Sequence, residues 1–247
     1  MSAEDRVGRD KARIDEWIRY AETSGESPAI DAATVVVLRD GDAGLETLML
    51  RRNSKIAFGG MWVFPGGRVD DADRHAAPDP LEAARVAAAR EAEEEAALVI
   101  PPRELVMFAH WIPPPIAPRR YATWFFAAGV SDRDHTIDDG EIVESDWMTP
   151  EECLGRHHEG EIELAPPTWV TLHTMRSHDR VDAALQWLAG RPARHHATRI
   201  GPSDAGPVAM WEGDAGYDTT DPSLDGPRHR LEMFAEGYRY DDSGIAE

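Results

Sequence analysis

The apolar residues between positions 33 and 64 occur in short blocks that predict β-strands. Residues 33–38 (ATVVVL) form a short β-branched run, typical of a buried strand. Residues 40–42 (DGD) have turn chemistry, and residues 46–51 (ETLMLR) follow as the return strand. A third short strand is expected over residues 61–64, ending at residues 65–67 (PGG). This part of the chain therefore predicts the beginning of a sheet.

A strongly helical segment comes next. Asp79 is a candidate N-cap, Pro80 suits the first helical position, and Glu82 lies three residues after the cap, as in a capping box. The Ala-rich residues 81–98 have high helix propensity, and two prolines at 101–102 end the pattern. The sequence thus predicts one long helix here.

Strand and helix patterns continue beyond this helix. The aromatic residues 121–130 and the residues 142–148 predict two further strands. A helix is expected to begin near Pro150. Residues 168–176 and 180–189 then have a helical pattern.

The two ends of the chain differ from its centre. Residues 9–21 could form one polar helix, whereas residues 191–247 are rich in Gly, Pro, Asp and His. We therefore expect a polar helical segment at 1–29, a central domain at 30–165 and a C-terminal extension at 166–247 that packs on it.

Composition and charge narrow the function classes. Hydrophobic residues make up 42% of the 247, enough for a core. The formal charge of −20 repels a phosphate backbone, so we expect no nucleic-acid partner. The single cysteine, Cys153, excludes an intramolecular disulfide and suits a reducing compartment. Apolar runs such as 125–130 are too short to cross a bilayer, and no secretory signal is visible. We expect a cytoplasmic protein with no membrane partner.

Four charged residues on the predicted helix are candidates for chemistry. Glu91, Glu94 and Glu95 are spaced so that all three carboxylates lie on one side of a helix, next to Arg90. Taken alone, such a cluster is more typical of a solvated acidic surface. The functional alternative is a site for hard divalent cations, Mg²⁺ or Mn²⁺, which bind carboxylate oxygens and bridge them to phosphates.

The surrounding motif favours the functional alternative. Residues 63–67 read VFPGG and residues 90–98 read REAEEEAAL. Together they resemble the Nudix box, Gly-x5-Glu-x7-Arg-Glu-U-x-Glu-Glu-x-Gly-U, where U is a bulky apolar residue. Gly67 matches the opening Gly and Glu82 the first Glu. The Arg-Glu and Glu-Glu pairs and the last apolar position match Arg90, Glu91, Glu94, Glu95 and Leu98.

The chain departs from this box in two ways. Fourteen residues, 68–81, separate Gly67 from Glu82 where the box has five, so this reading requires a nine-residue insertion in a loop. Ala97 replaces the last Gly, and Ala92 is small for its apolar position. If position 97 needs a positive φ, alanine there costs about 1 kcal/mol or more.

The interrupted box resembles one branch of the family, the acyl-coenzyme A diphosphatases of animal peroxisomes and their bacterial relatives. The similar segments are residues 64–73, 110–126, 141–152 and 226–233. The coenzyme A signature matches in part. Gly60-x3-Phe64-Pro-Gly-Gly is present and Arg51 is well placed, but the second Arg falls on Ile56.

The resemblance implies a Nudix-type α/β/α sandwich with a mixed sheet, to which we add a helical or irregular C-terminal extension. It implies that Glu91 and Glu95, with Glu94 alongside, bind the cation, and that Arg90 orients these carboxylates. Glu141 or Glu144 would position or deprotonate the attacking water, although both could be ordinary edge carboxylates. The substrate-binding candidates are Arg51, Gly66, Gly67, Arg119 and Arg120.

At least one of Arg51, Arg119 and Arg120 is expected to contact the 3′-phosphate of coenzyme A through its forked donors. Ordinary ion pairs are an equal alternative for these arginines. Trp111, Trp124 and Phe126 could stack a base, but strand core is favoured for them.

The function implied is metal-dependent hydrolysis of a diphosphate linkage in a small nucleotide derivative. Coenzyme A or an acyl-coenzyme A would give 3′,5′-ADP and the phosphopantetheine product. An ADP-ribose or dinucleotide diphosphatase is the alternative within enzymes. A Nudix-like module that binds a nucleotide without cutting it is the alternative outside them, supported only by Ala97. A homodimer stays open.

Overall fold

The structure is a computed structural model that describes residues 3–53, 59–131, 137 and 141–245, with side chains from residue 7 onward. Ile56, at the incomplete position of the coenzyme A signature, lies outside the described residues.

Helices and strands alternate through the first two thirds of the chain, and strands dominate its end. The helices are α1 (Ala3–Ser24), α2 (Asp71–Ala76), α3 (Pro80–Ala96), α4 (Pro150–His158), α5 (Pro166–Met175) and α6 (Val181–Ala189), with a 3₁₀ turn at Pro102–Glu104. The strands before α4 are β1 (Ala29–Gly41), β2 (Gly44–Arg52), β3 (Trp62–Val63), β4 (Gly66–Arg68), β5 (Val106–Ile112), β6 (Arg120–Gly129) and β7 (Ile142–Met148). The strands after α6 are β8 (Arg194–Ala197), β9 (Arg199–Gly201), β10 (Val208–Met210), β11 (Arg230–Phe234) and β12 (Gly237–Asp241).

The main sheet has the order β3-β2-β1-β6-β5-β8, with β4 also pairing with β1 and β7 with β2. The pairs β1/β6 and β5/β8 are parallel, whereas the other pairs are antiparallel. Helices cover both faces of this sheet. The prediction of an α/β fold with a mixed sheet is therefore confirmed.

The continuous apolar run in β1 reflects burial on both faces of the sheet. Val35 and Val37 pack in the core beneath α3, together with Ala87 of that helix. Val36 lies in a second core on the opposite face, which α4, α5 and α6 share with the C-terminal strands. Side chains alternate between faces along a strand, so a strand covered on both sides is apolar throughout.

The C-terminal extension differs from the helical or irregular segment that we predicted. Helices α5 and α6 form as expected, but they are followed by the strands β8 to β12. Strand β8 extends the main sheet beside β5, and β9 to β12 form a second sheet. These strands are short and contain polar residues, so their pairing depends on tertiary partners rather than on local pattern. Strand β5 was not predicted either.

The N-terminal helix α1 docks against this extension. The hydroxyl of Tyr238 donates a hydrogen bond of 2.8 Å to Asp10, and Arg13 forms an ion pair of 2.6 Å with Glu163. The division of the chain at residues 29/30 and 165/166 stays a prediction. Among the described residues, every helix is too short or too polar to span a bilayer.

Candidate active site

The most buried carboxylate of the predicted cluster is Glu95, which is 4% exposed in the last turn of α3. Its Oε1 accepts a hydrogen bond of 2.6 Å from Arg52, and its Oε2 accepts one of 2.9 Å from the backbone N–H of Gly66. Burial raises the pKa of Glu95 to about 7, although Arg52 and the Gly66 N–H both act to lower it. The site therefore exerts a net penalty on the charged form.

Glu91 and Glu94 share one guanidinium. Arg90 Nη1 donates to Glu91 at 2.9 Å and to Glu94 at 2.8 Å. Burial raises the pKa of Glu91, with a further contribution from the negative charge of Glu94, whereas Arg90 opposes both. Glu94 is the most exposed of the three carboxylates. Arg90 thus holds two acidic side chains of the helix close together.

These carboxylates have the chemistry of ligands for a hard cation. Within residues 7–53, 59–131, 137 and 141–245, no three acidic, His or Cys side chains converge into a complete cage. Mg²⁺, however, usually takes only one or two carboxylates and keeps several waters. The raised pKa values of Glu91 and Glu95 show buried negative charge that a cation would stabilise. The residues therefore fit Mg²⁺ or Mn²⁺.

Gly66 and Gly67 allow the chain to pass tightly beside this cluster. A Cβ on Gly67 would overlap the carboxylate of Glu91, and one on Gly66 would lie 2.7 Å from the side chain of Thr34 on β1. Any larger residue at position 67 would have to displace Glu91. We predicted both glycines as substrate-binding residues; in the structure they also line the cavity beside the carboxylates.

An acidic residue that the sequence reading missed, Asp73 of α2, holds Arg90 in place. Arg90 donates from Nε at 3.2 Å and from Nη2 at 3.0 Å to the two oxygens of Asp73. Asp73 is 2% exposed and also accepts from the backbone N–H of Asp70 at 2.9 Å. Arg90 Nη2 donates to the carbonyl of Arg68 as well. Bonding to Asp73 is the main cause that raises the pKa of Arg90.

Glu82, which we matched to the first Glu of the box, lies elsewhere. Its side chain is 54% exposed and pairs with Arg85 at 3.3 Å. Asp73 instead follows Gly67 after five residues, which is the spacing of the box. The inserted residues therefore lie between Asp73 and Arg90, and they complete α2 and begin α3. The Gly-x5-Asp spacing was the signal in the sequence that could have identified Asp73.

The three predicted phosphate-binding arginines separate in the structure. Arg119 lines the cavity that contains the carboxylates. Arg51 points elsewhere and pairs with Glu144 at 3.1 Å. Arg120 donates to the backbone carbonyls of Ser27 and Pro113, so it fixes the chain that leads into β1.

Two further arginines reach the cavity without having been ranked as substrate-binding. Arg52 lines it while bound to Glu95. Arg68 lines it too, and neither Arg68 nor Arg119 forms a side-chain ion pair within the described part of the chain. Arg68 and Arg119 are thus the cations at this surface that a phosphate could engage.

The two candidate base carboxylates also separate. Glu141 lines the cavity with its side chain 59% exposed, 3.9 Å from Arg52 Nη1. Glu144, paired with Arg51, lies outside the cavity lining. Of the pair, Glu141 is therefore the residue placed to act on a water near the cluster.

The aromatic candidates behave mostly as core residues. Phe126 is fully buried beneath α3, and Trp124 stacks on His110 with ring centroids 3.8 Å apart. Trp111 lines the cavity but is itself 4% exposed, stacked on His196 at 3.8 Å.

The C-terminal end of α3 explains the alanine in the glycine position of the box. Ala97 has φ 56° and ψ 28°, which is the left-handed region. Its N–H bonds to the carbonyl of Glu93, and the N–H of Leu98 bonds to that of Ala92. The condition stated for position 97 therefore holds, and the chain accommodates alanine in a conformation that favours glycine.

The model of one protein family, the Nudix domain, matches residues 29–168. The chain belongs to the Nudix family. It is a Nudix hydrolase, and the matched range coincides closely with the central domain expected from the sequence. Among curated proteins, none matches the chain.

Solved structures show the same fold. A Nudix hydrolase from Alicyclobacillus acidocaldarius aligns with a TM-score of 0.59 and 23% identity, over 67% of this chain and 99% of that one. The Nudix domain of Shewanella oneidensis NrtR, solved with ADP ribose, aligns with a TM-score of 0.48 and 17% identity, over 66% and 96%. A MutT protein from Methanosarcina mazei Go1 has a TM-score of 0.46 and 22% identity, over 62% and 95%. In each case the part of this chain left unmatched is about a third.

Proposed function

We propose that this Nudix hydrolase cleaves the diphosphate linkage of coenzyme A or an acyl-coenzyme A, giving 3′,5′-ADP and phosphopantetheine or its acyl form. One observation carries the proposal. The buried carboxylates Glu91 and Glu95 and the unpaired arginines Arg68 and Arg119 line one cavity of about 1000 Å³. That volume suits a large nucleotide derivative, because ligand pockets range from about 300 to 1000 Å³.

Glu91, Glu94 and Glu95 are the residues that would hold Mg²⁺ or Mn²⁺. When bound there, the cation supplies neutralisation of the diphosphate charge and a lower pKa for the attacking water. The net charge of −20 would otherwise repel a substrate with several phosphates. Arg68 and Arg119 would provide local attraction in a chain that is acidic as a whole.

The protein's own residues divide the remaining work. Arg90, held by Asp73, orients Glu91 and Glu94. In the reaction a water oxygen forms a bond to one phosphorus and the bridging P–O bond breaks. The water's proton passes to a carboxylate, for which Glu141 is our candidate because it lies at the cavity and is exposed to solvent. Arg119 would bind the 3′-phosphate.

The test compares coenzyme A, dephospho-coenzyme A and ADP-ribose as substrates with Mg²⁺ and with Mn²⁺. Arg119→Ala should raise KM for coenzyme A about ten- to a hundredfold and leave dephospho-coenzyme A almost unchanged, because a charge-assisted contact contributes about 1.5–3 kcal/mol. Arg51→Ala is the matched control and should change neither, since Arg51 lies outside the cavity.

Equal hydrolysis of coenzyme A and dephospho-coenzyme A by the wild-type enzyme would show that the 3′-phosphate is not read. The proposal would then give way to a broader diphosphatase of ADP-ribose or dinucleotides.

A further inference from the structure

The cavity continues well beyond the carboxylates into an apolar compartment. Its walls come from Ile14 and Trp17 of α1, Trp111 of β5, Ile200 of β9 and Met233 of β11. Only Trp111 belongs to the segment matched by the Nudix family, residues 29–168. The compartment is therefore built mainly by the two ends of the chain. We call these five residues the apolar compartment.

The α1 wall is a fixed part of the molecule. Asp10 on this helix accepts from Tyr238 at 2.8 Å, while Arg9 and Arg13 pair with Glu163 at 3.0 and 2.6 Å. One helical turn beyond Asp10, Ile14 packs against the main core. These contacts hold Ile14 over the sheet, so the compartment exists without a ligand.

The compartment lies a considerable distance from the carboxylates. Gly66, which bonds to Glu95, pairs with Thr34 on β1, and β1 pairs with β6, which pairs with β5 next to Trp111. Three steps between neighbouring strands correspond to about 14 Å. A ligand that fills both ends therefore needs a long arm between its diphosphate and an apolar group.

We propose that the apolar compartment binds the acyl chain of an acyl-coenzyme A and thereby sets the preference for chain length. The inference rests on the proposed function, which supplies the long pantetheine arm. A nucleobase would need hydrogen-bond partners as well as a stacking surface, and the indole N–H of Trp211 nearby already donates to Thr198 at 3.0 Å. A hydrocarbon chain needs only apolar walls.

The first experiment measures dissociation constants of acetyl-, hexanoyl- and decanoyl-coenzyme A for the full-length protein without divalent metal. Each methylene that enters the compartment should tighten binding about fourfold, from the transfer free energy of a buried CH₂. Hydrolysis rates of the same compounds with Mg²⁺ provide the second readout.

Two isoleucines of α1 give a matched pair of variants. Ile14 lines the cavity, whereas Ile18 is 41% exposed and lies outside its lining. Ile14→Ala should weaken binding of decanoyl-coenzyme A about four- to fifteenfold, equivalent to one or two methylene contacts, and leave acetyl-coenzyme A unchanged. Ile18→Ala should change neither. Ile14→Trp, which fills the compartment, should select against decanoyl-coenzyme A only, and circular dichroism checks that α1 is intact.

Decanoyl-pantetheine separates this inference from the proposed function, because it carries the chain but no diphosphate. If coenzyme A is not hydrolysed, yet decanoyl-pantetheine binds more tightly than acetyl-pantetheine and Ile14→Ala removes the difference, the substrate proposal fails and the acyl site stands. Equal affinities of the acetyl and decanoyl compounds, or equal effects of Ile14→Ala and Ile18→Ala, would overturn the acyl site. A loss of ADP-ribose binding in Ile14→Ala with no chain-length effect would assign the compartment to a base instead.

Discussion

Replacing Asp73 by Asn tests which acidic residue completes the box. The substitution preserves size but removes the negative charge opposite Arg90. It also places an amide N–H₂ group where one of the carboxylate oxygens accepts from Arg90 Nη2 and from the backbone N–H of Asp70. At least one donor in this buried corner then loses its acceptor.

The magnitude follows from these contacts. A hydrogen bond to a charged group contributes about 1.5–3 kcal/mol, and Asp73 is buried enough that water cannot replace it. Arg90 keeps Glu91 and Glu94, so the loss should stay below the about 3–5 kcal/mol expected when a buried charge is left wholly unpaired. We therefore expect Asp73→Asn to lower the free energy of unfolding by about 1.5–3 kcal/mol.

The effect on catalysis should be separate from substrate binding. Asp73 does not line the cavity, but it positions Arg90, which in turn holds Glu91 and Glu94. Losing a group that orients metal ligands typically lowers metal affinity or activity about ten- to a hundredfold. The affinity for Mg²⁺ and kcat should fall together in Asp73→Asn, while KM at saturating Mg²⁺ changes little.

Urea unfolding followed by tryptophan fluorescence measures the stability, and calorimetric titration with Mg²⁺ measures the metal affinity. Glu82→Gln is the control, because its surface pair with Arg85 should contribute about 0.5 kcal/mol or less. If Glu82→Gln were as destabilising or as inactive as Asp73→Asn, the placement of the insertion after Asp73 would be wrong.

Four other changes have defined outcomes. Ala97→Gly should raise the free energy of unfolding by about 1 kcal/mol, because φ there is 56°, whereas Ala89→Gly in the same helix should lower it by a similar amount; a loss of stability in Ala97→Gly would contradict the left-handed end of α3. Glu91→Gln and Glu95→Gln should each lower kcat by orders of magnitude without destabilising the metal-free protein, since burial opposes both charges; near-normal turnover at saturating Mg²⁺ would remove them as ligands. Gly67→Ala should lower kcat with little change in global stability, because its Cβ displaces Glu91, and an unchanged kcat would show that the displacement is harmless. Burial holds the pKa of His196 well below 6.5 in the folded protein, so the unfolded state binds the extra proton as pH falls below 6.5 and stability is lost there at up to about 1.4 kcal/mol per pH unit for this group; His196→Phe, which keeps the ring against Trp111, should reduce that slope in urea unfolding at pH 5 to 7, and an unchanged slope would contradict the assignment.

Local chemistry was readable from the sequence wherever a few neighbouring residues decide the backbone. Asp79 caps α3 by accepting from the N–H groups of Leu81 and Glu82, as its position before Pro80 predicted. The β-branched run of β1 and the fixed spacing of Glu91 to Glu95 likewise depend only on residues close in sequence. These features give the fold class and the family, because strand propensity, helix caps and helical periodicity act over a few residues.

The tertiary structure decided which distant groups meet. Glu82 and Asp73 are both acidic residues upstream of Arg90, and only the docking of α2 against α3 brings Asp73 to the guanidinium. In the same way, one residue of register separates Arg51 from Arg52, yet the pleat of β2 directs Arg52 to Glu95 and Arg51 to Glu144.

The C-terminal strands show the same limit. Residues 194–197 read RHHA, which is a weak local signal for a strand. They form β8 because β5 offers a free sheet edge and His196 stacks on Trp111. Strand pairing draws its free energy from partners far away in the sequence, so the composition of one segment does not reveal it. The apolar compartment, which needs both ends of the chain folded over the sheet, was for this reason visible only in three dimensions.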